Sequence, residues 1–255
     1  MDRAEAKRRL DSLRYSLGSP TKSPANPSSK FGDIMFIKIF KDRTDAGRFL
    51  ASKLRQFANL ADVIVLGLPR GGVPVAYEVA HKLNAPLDIL VVRKLGVPGH
   101  EELAMGAIAG GGVRVLNQDV LSQLGIPQDI IDLVIESEQR ELERRERRYR
   151  KNHPPLNLRG RIVIVVDDGL ATGSSMHAAV TAIRQKQPKK IIVAVPVGAR
   201  DTCQSFHNEV DTIAICAITP ESFQSVGSWY ANFSPTTDDE VRKCLDRSGL
   251  TKRAA

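Results

Sequence analysis

The sequence predicts an α/β protein with a Rossmann-like, doubly wound sheet of five mainly parallel strands. Three observations lead to this fold class. Of the 255 residues, 42% are hydrophobic and 26% are charged, which is typical of a globular protein that buries a core. Short runs of Val, Ile and Leu indicate strands that are buried on both faces. Stretches with helical periodicity separate these runs, and right-handed crossovers then place helices on both faces of the sheet.

Each predicted strand is a short run of aliphatic residues, as in the segment RIVIVVDD that begins at Arg161. Such runs match the length of buried strands and are much too short for membrane-spanning helices. The five runs are 61–68, 86–95, 161–168, 190–197 and 211–218.

Helical periodicity predicts the elements between the strands. Thr44 can cap a first helix that runs to about Phe57, because a face of apolar residues at helical spacing follows it. A second helix is predicted at 73–83, after a Gly-Gly turn. Two more are predicted at 174–187 and at about 200–208.

A long and highly charged helix is predicted over about residues 127–152. Pro127 suits its first turn, and Glu–Arg pairs four residues apart stabilise an exposed helix surface. This pattern is typical of a solvated helix, although the same face could bind RNA or form a dimer. The pairs are Glu141 with Arg145, Glu143 with Arg147, and Glu146 with Arg150.

The net charge of +8 lies at the two ends of the chain. Residues 1–30 contain seven Lys or Arg against three Asp or Glu, and residues 241–255 contain five against one. We therefore expect a folded domain over 31–240 between a disordered basic N-terminal tail and a basic C-terminal tail. Such tails could contact nucleic acid, but a solvated tail is the favoured interpretation. We expect no membrane span and no secretory signal, because no apolar run is long enough.

The three cysteines, Cys203, Cys216 and Cys244, do not have the spacing of a zinc site. An odd and widely spaced set of cysteines favours a reduced, cytoplasmic protein. Cys216 lies in the apolar run TIAICAI, so we expect it to be a small core residue.

Polar residues follow the third predicted strand, at the edge where parallel sheets bind ligands. Asp167 and Asp168 end this apolar run, and a loop of small residues then leads into a helix. Adjacent carboxylates repel each other, so a diol, a metal ion or a nearby cation should compensate their charge. The loop leaves backbone N–H groups at a helix N-terminus, where Thr172, Ser174 and Ser175 add hydroxyl donors. This combination predicts a site for a ribose 5-phosphate.

Two further loops leave strand ends at the same edge. In the segment LPRGGVP, Arg70 can pair with phosphate oxygens, and Gly71 and Gly72 let the backbone approach a ligand closely. Arg93 and Lys94 end the second predicted strand and add two cations. A long Gly-rich connection follows them, and connections of this length are often functional lids.

The segment VIVVDDGLATGSS resembles the loop by which type I phosphoribosyltransferases bind 5-phosphoribosyl 1-diphosphate (PRPP). With the segments LPRGGVPVA and RKLGVPGHEELAMGAIA, the resemblance extends over about residues 40–220. It is strongest to an uncharacterised branch of predicted phosphoribosyltransferases. The chain departs from the family pattern at Gly169, where many members carry an aliphatic residue.

The resemblance implies a role for each of these segments. The catalytic group would be Asp167, Asp168, Arg70 and Lys94, with the carboxylates on the ribose hydroxyls and the cations facing the diphosphate. Mg²⁺ would be the cofactor, held mainly through PRPP, with Asp167 and Asp168 as its only candidate protein ligands. A non-proline cis peptide bond is expected between Pro69 and Arg70. The remaining binding residues would be Gly71, Gly72, Arg93, Gly169, Ala171, Thr172, Gly173, Ser174 and Ser175.

By the same resemblance, a flexible lid loop over about 95–112 would close over PRPP, and a small C-terminal hood over about 218–235 would select the acceptor. Aromatic residues are concentrated in this hood. Trp229 and Tyr230 could stack on a planar base, or the aromatics could form the core of a small cap.

The implied function is transfer of 5-phosphoribosyl from PRPP to a nitrogenous, nucleobase-like acceptor, with release of diphosphate. Two alternatives stay open. One is a non-catalytic sensor of PRPP or nucleotides that contacts RNA, and the other is a hydrolase that acts on a ribosyl phosphate. A homodimer is the common state of symmetric enzymes.

Overall fold

The structure of the protein is a computed structural model that describes residues 40–150, 155, 157–207 and 212–248. The predicted N-terminal tail therefore lies outside the described residues. The strands are β1 (Val63–Gly67), β2 (Leu87–Ile89), β3 (Val92–Val97), β4 (His100–Ala109), β5 (Val113–Leu116), β6 (Ile162–Val166), β7 (Lys190–Val197) and β8 (Thr212–Ile218). The α-helices are α1 (Arg43–Lys53), α2 (Gly72–Leu83), α3 (Gln118–Leu124), α4 (Gln128–Arg150), α5 (Ser174–Arg184), α6 (Arg200–His207) and α7 (Asp238–Arg247).

Five strands form one sheet in the order β2-β1-β6-β7-β8. Every neighbouring pair in it is parallel, which confirms the predicted parallel sheet. Parallel strands end at the same edge of a sheet, so the loops that follow β1 and β6 meet there. These are the two loops in which the sequence places the acidic pair and the two glycines.

Helices cover both faces of this sheet, as a doubly wound fold requires. Val65 packs on one face with residues of α1, α2, α4 and α7, among them Leu50 and Val241. Leu66, its neighbour along the strand, packs on the opposite face with α5 and α6, where Phe206 is completely buried. Successive side chains of a strand point to opposite faces, so a strand covered on both sides contains only apolar residues.

The segment 95–112 is not the long loop that we predicted. Strands β3, β4 and β5 form a second, antiparallel sheet, and the predicted strand 86–95 is divided between β2 and β3. The glycines that suggested a loop allow close backbone packing. A Cβ atom on Gly96 would lie 2.7 Å from the Glu101 carbonyl oxygen, next to an irregularity in the strand register.

The predicted C-terminal tail is also wrong for the residues that the structure describes. Helix α7 covers Asp238–Arg247 and begins with a capping box between Thr237 and Glu240. Val241 and Leu245, one helical turn apart, are buried against the core. Arg242, Lys243 and Arg247 therefore lie on an amphipathic helix that packs on the domain.

Helix α1 differs from the prediction at its first residues, whereas helix α4 agrees with the prediction over the described residues. Helix α1 is capped by Asp42, not by Thr44, because the Asp42 side chain accepts from the Asp45 backbone N–H at 2.9 Å. Helix α4 has the expected length, and all three predicted Glu–Arg pairs are present in it. Their N···O distances are 2.7, 4.0 and 3.5 Å for Glu141–Arg145, Glu143–Arg147 and Glu146–Arg150.

Cys216 packs against the core as a small, half-buried residue, but it is not the reduced cysteine that we expected, because it forms a disulfide with Cys203. The bond joins β8 to α6, two elements that are adjacent in the chain. Among the described helices, none has both the length and the hydropathy that crossing a bilayer demands.

Candidate functional site

The two adjacent carboxylates lie directly after β6, and each is held by one of its oxygens. The Asp168 backbone N–H donates to Oδ1 of Asp167 at 2.9 Å. The Nε–H of Arg43 donates to Oδ2 of Asp168 at 2.8 Å. Within the described part of the chain, no side chain donates a hydrogen bond to Oδ2 of Asp167 or to Oδ1 of Asp168. Each aspartate therefore keeps one oxygen that can accept from a ligand.

Burial shapes the ionisation of this pair. It raises the pKa of Asp167 well above its ordinary value, and the neighbouring charge of Asp168 raises it further. Burial also raises the pKa of Asp168, although the hydrogen bond and charge of Arg43 act in the opposite direction. The nearby cation that the acidic pair required is therefore Arg43.

The loop after the acidic pair is fixed by two hydrogen bonds to neighbouring segments, while its residues Ala171 and Thr172 are exposed. Leu170 donates its N–H to the Val197 carbonyl at 3.0 Å, and the Thr202 hydroxyl donates to the Ala171 carbonyl at 2.7 Å. Gly173 then adopts a φ of +76° and precedes α5, and no side chain caps this helix. Its first N–H groups can therefore bind an anion. The Thr172 and Ser174 hydroxyls lie 3.3 Å apart beside them.

The loop after β1 packs against the acidic pair. Its peptide bond between Pro69 and Arg70 is cis, as the resemblance predicts. A Cβ atom on Gly72 would lie 2.7 Å from the Val166 carbonyl oxygen, and one on Gly71 would overlap the Asp168 carboxylate. The two glycines therefore let this loop lie against the end of β6, and they leave the Arg70 side chain exposed.

A cavity of about 490 Å³ lies next to the acidic pair, between the antiparallel sheet and the loops at the edge of the parallel sheet. Arg93 and Lys94 line it from β3, Asp167 from the loop after β6, and Ser175 from the start of α5. The Arg93 Nε lies 2.5 Å from a carboxylate oxygen of Glu138 on α4. One predicted cation of the site is thus paired with a carboxylate of α4.

Helix α4 contributes to this cavity, which the sequence did not predict. Ser137, Glu138 and Arg145 face it together with the apolar Leu133 and Val134. The Glu–Arg periodicity identified α4 as a solvated helix, but Arg145 of the Glu141–Arg145 pair also lines the cavity. The apolar run IIDLVI over 130–135, in the N-terminal part of the helix, could have indicated this.

Of the two hood residues predicted to stack on a base, Tyr230 does not have the exposure that stacking needs. Tyr230 is fully buried with Phe40, and its hydroxyl donates to the Asp168 carbonyl at 2.5 Å. Trp229 and Phe233 pack partly buried on the same cluster. Our prediction that Tyr230 binds an acceptor is therefore wrong, because this ring belongs to the core of a small cap. Trp229 is half-buried, and its contact with an acceptor stays a prediction. Gly169 belongs to this packing as well, because a Cβ atom there would overlap Val226.

Mg²⁺ chemistry can be tested against these donors. Among the described residues, no group of three His, Cys, Asp or Glu side chains could hold a metal ion. Mg²⁺ usually keeps several waters and binds through one or two carboxylates and the phosphates of a substrate. The free oxygens of Asp167 and Asp168 fit such a site, in which the ligand supplies most of the coordination.

Comparisons with known proteins agree with this architecture. The model of the phosphoribosyl transferase domain family matches residues 37–106 and 99–228. A Mycobacterium tuberculosis protein named "Putative phosphoribosyl transferase" is 49% identical over 212 residues, which are 83% of this chain and 47% of that protein. The chain thus spans about half the length of this curated relative.

Two further relatives were found. The Thermus thermophilus protein TT1426, a solved structure, has a TM-score of 0.73 and 39% identity, over 81% of this chain and 97% of its own. A Chloroflexus aurantiacus protein named "Bifunctional protein PyrR" is 30% identical over 129 residues, which are 49% of this chain and 65% of that protein. With the family model matching most of its length, the chain belongs to the type I phosphoribosyltransferase family.

Proposed function

We propose that this chain transfers 5-phosphoribosyl from PRPP to a nitrogenous, nucleobase-like acceptor, with release of diphosphate. One observation carries the proposal. Two carboxylates, each with one free oxygen, stand beside a helix N-terminus that no side chain caps. A ribose 5-phosphate offers the matching groups, namely two vicinal hydroxyls that donate and a phosphate that accepts.

In the proposed reaction, a nitrogen lone pair of the acceptor forms a bond to C1 of the ribose. The bond from C1 to the diphosphate oxygen breaks, and its electron pair leaves with the diphosphate. Positive charge develops on the ribose in an oxocarbenium-like transition state, as in other glycosyl transfers. The carboxylates of Asp167 and Asp168 favour this charge, while Arg70, Arg93 and Lys94 bind the departing anion. A bound Mg²⁺ would supply further neutralisation of the diphosphate.

The hairpin of β3 and β4 is the proposed lid. Lys94 lies at its base, and the cavity extends along it to Pro98 and Glu101. Closure of this hairpin over PRPP would exclude water, which would otherwise compete with the acceptor for C1.

Calorimetric titration of PRPP with Mg²⁺ tests the proposal. We expect saturable binding to the wild type and its loss in Asp167→Asn/Asp168→Asn. Asp62→Asn is the matched control, because Asp62 lies at the opposite edge of the same sheet and pairs with Lys189. Absence of wild-type binding at millimolar PRPP would contradict the proposal.

Diphosphate release then separates the candidate reactions. A transferase releases diphosphate from PRPP only when a suitable acceptor is present. A hydrolase that takes PRPP as its ribosyl phosphate releases diphosphate and ribose 5-phosphate without an acceptor, and a sensor releases neither. An RNA-binding role receives little support from α4, since Arg140, Arg145 and Arg147 of its charged face are each paired with a glutamate.

A further inference from the structure

One arginine outside the family motifs joins three parts of the site. Arg43 is the first residue of α1, and its side chain is only 12% exposed. Its Nε–H donates to Asp168 and its Nη1 donates to the Ser234 carbonyl, each at 2.8 Å. Its guanidinium carbon lies 4.0 Å from the centre of the Phe233 ring. The side chain is therefore fixed on one side by the acidic pair and on the other by the hood.

The oxygens that accept these hydrogen bonds determine which carboxylate oxygens remain for a ligand. Arg43 donates to Oδ2 of Asp168, and the Asp168 backbone N–H donates to Oδ1 of Asp167. The other oxygen of each carboxylate can therefore accept from a ligand. Two vicinal hydroxyls need two acceptors at fixed positions. Without Arg43, the Asp168 carboxylate could rotate about its terminal bond, because this torsion has broad minima.

We propose that Arg43 is a positioning residue, which orients Asp168 toward a ribose hydroxyl and fastens that carboxylate to the hood. This inference rests on the proposed ribose ligand. The hood holds the backbone of the same aspartate as well, through the Tyr230 hydroxyl on the Asp168 carbonyl. Both ends of Asp168 are thus attached to the hood, so hood position and diol recognition are coupled.

A lysine could not reproduce this arrangement. The planar guanidinium donates in two directions at once, from Nε to a carboxylate and from Nη1 to a carbonyl, and it stacks on a ring. A lysine ammonium would keep the positive charge beside Asp168 without the fixed geometry. Charge and positioning can therefore be separated experimentally.

The test compares ribose 5-phosphate with 2-deoxyribose 5-phosphate, which lacks one of the two hydroxyls, by calorimetry. We expect the wild type to prefer ribose 5-phosphate, and Arg43→Gln to lose about tenfold or more of that preference, as for a charged hydrogen bond. Arg43→Lys should keep the melting temperature nearer to that of the wild type and still lose most of the preference. The affinity for inorganic diphosphate should change less than about twofold in both variants, within the usual effect of a substitution away from the contact.

The matched control is Arg48→Gln, on the same helix, which removes an exposed pair between Arg48 Nε and Glu78 at 3.1 Å. It should leave the preference unchanged. Phe233→Leu removes the ring under the guanidinium without changing any charge. We expect it to reduce the preference by about two- to fivefold, the usual effect of a cation–π contact.

The outcomes separate the two levels of the proposal. If the wild type binds neither PRPP nor ribose 5-phosphate, the proposed function is wrong, and the role of Arg43 in binding ribose is wrong with it. If the wild type prefers ribose 5-phosphate and the folded Arg43→Gln and Phe233→Leu variants keep that preference, the positioning role alone is wrong. Full preference in Arg43→Lys would also overturn it, since charge would then suffice.

Discussion

At the residue scale, the position of Asp167 destabilises the free protein. Its carboxylate lies beside a second carboxylate and is largely removed from water, and both conditions disfavour the charged form. A ligand with hydroxyl donors would reverse this disadvantage, because it hydrogen-bonds to the ionised carboxylate. Binding sites commonly keep groups that destabilise the free protein in this way.

Replacing Asp167 by Asn should therefore stabilise the free protein, increasingly so at higher pH. The folded-state pKa of Asp167 is raised, so the folded protein binds the proton more tightly than the unfolded chain. This contribution to the unfolding free energy is complete below the unfolded pKa and is lost as the pH rises through the folded one. Urea denaturation at several pH values above the unfolded pKa, about 3.9, should show that the advantage of Asp167→Asn grows with pH.

The matched control for this pH dependence is Asp62→Asn. The hydrogen bond from Lys189 lowers the pKa of exposed Asp62, so this variant should show no such gain. An advantage of Asp167→Asn that is constant or falls with rising pH would contradict the prediction.

Gly169, the departure from the family pattern, is explained by a contact with the hood. A Cβ atom there would overlap the Val226 side chain. We expect Gly169→Ala to lower the unfolding free energy by about 1–3 kcal/mol, as overpacking usually does. Val226→Ala in the same chain should restore part of this loss, because the overlapping methyl groups are then absent. Equal losses in the single and double variants would contradict this explanation.

At the scale of elements, the sequence predicted best where one local pattern determines the outcome. The short aliphatic runs correctly predicted the parallel sheet, and the spacing of Glu and Arg correctly predicted the three ion pairs of α4. The hairpin was missed because Gly96 and Gly106 are read as loop residues unless the facing strand is known. Helix α7 could have been predicted, since Thr237 and Glu240 form a capping box before an apolar i,i+4 pair. The role of Arg43 could not have been predicted, because the residues that it contacts are distant from it in the chain. These residues are Asp168, Phe233 and Ser234.

Helix α7 should behave as part of the core. Val241 is completely buried, so Val241→Ala should lower the unfolding free energy by about 1–3 kcal/mol. Lys243, on the exposed side of the same helix, provides the control, and Lys243→Ala should stay within about 0.5 kcal/mol of the wild type. Chemical denaturation measures both. If Val241→Ala lowers the unfolding free energy as little as Lys243→Ala does, helix α7 does not contribute to the core and the prediction is wrong.

At the scale of the whole molecule, two sheets divide the proposed site between them. The parallel sheet supplies the acidic pair and the helix N-terminus that would hold the ribose and its 5-phosphate. The antiparallel sheet supplies Arg93 and Lys94, which would face the diphosphate. Lys94 also lines a second cavity of about 450 Å³ between the hairpin and α5, so it stands where the two sheets approach each other.

This division predicts that the two halves of PRPP can be lost separately. Lys94→Met should weaken PRPP and diphosphate binding by about tenfold or more, as for loss of a charged hydrogen bond. It should leave ribose 5-phosphate affinity within about twofold, since the acidic pair and the helix N-terminus are unchanged. Asp167→Asn/Asp168→Asn should weaken the binding of PRPP and ribose 5-phosphate and leave the affinity for diphosphate within about twofold. If Lys94→Met weakens all three ligands equally while its melting temperature stays that of the wild type, the two sheets do not act as separate halves of the site.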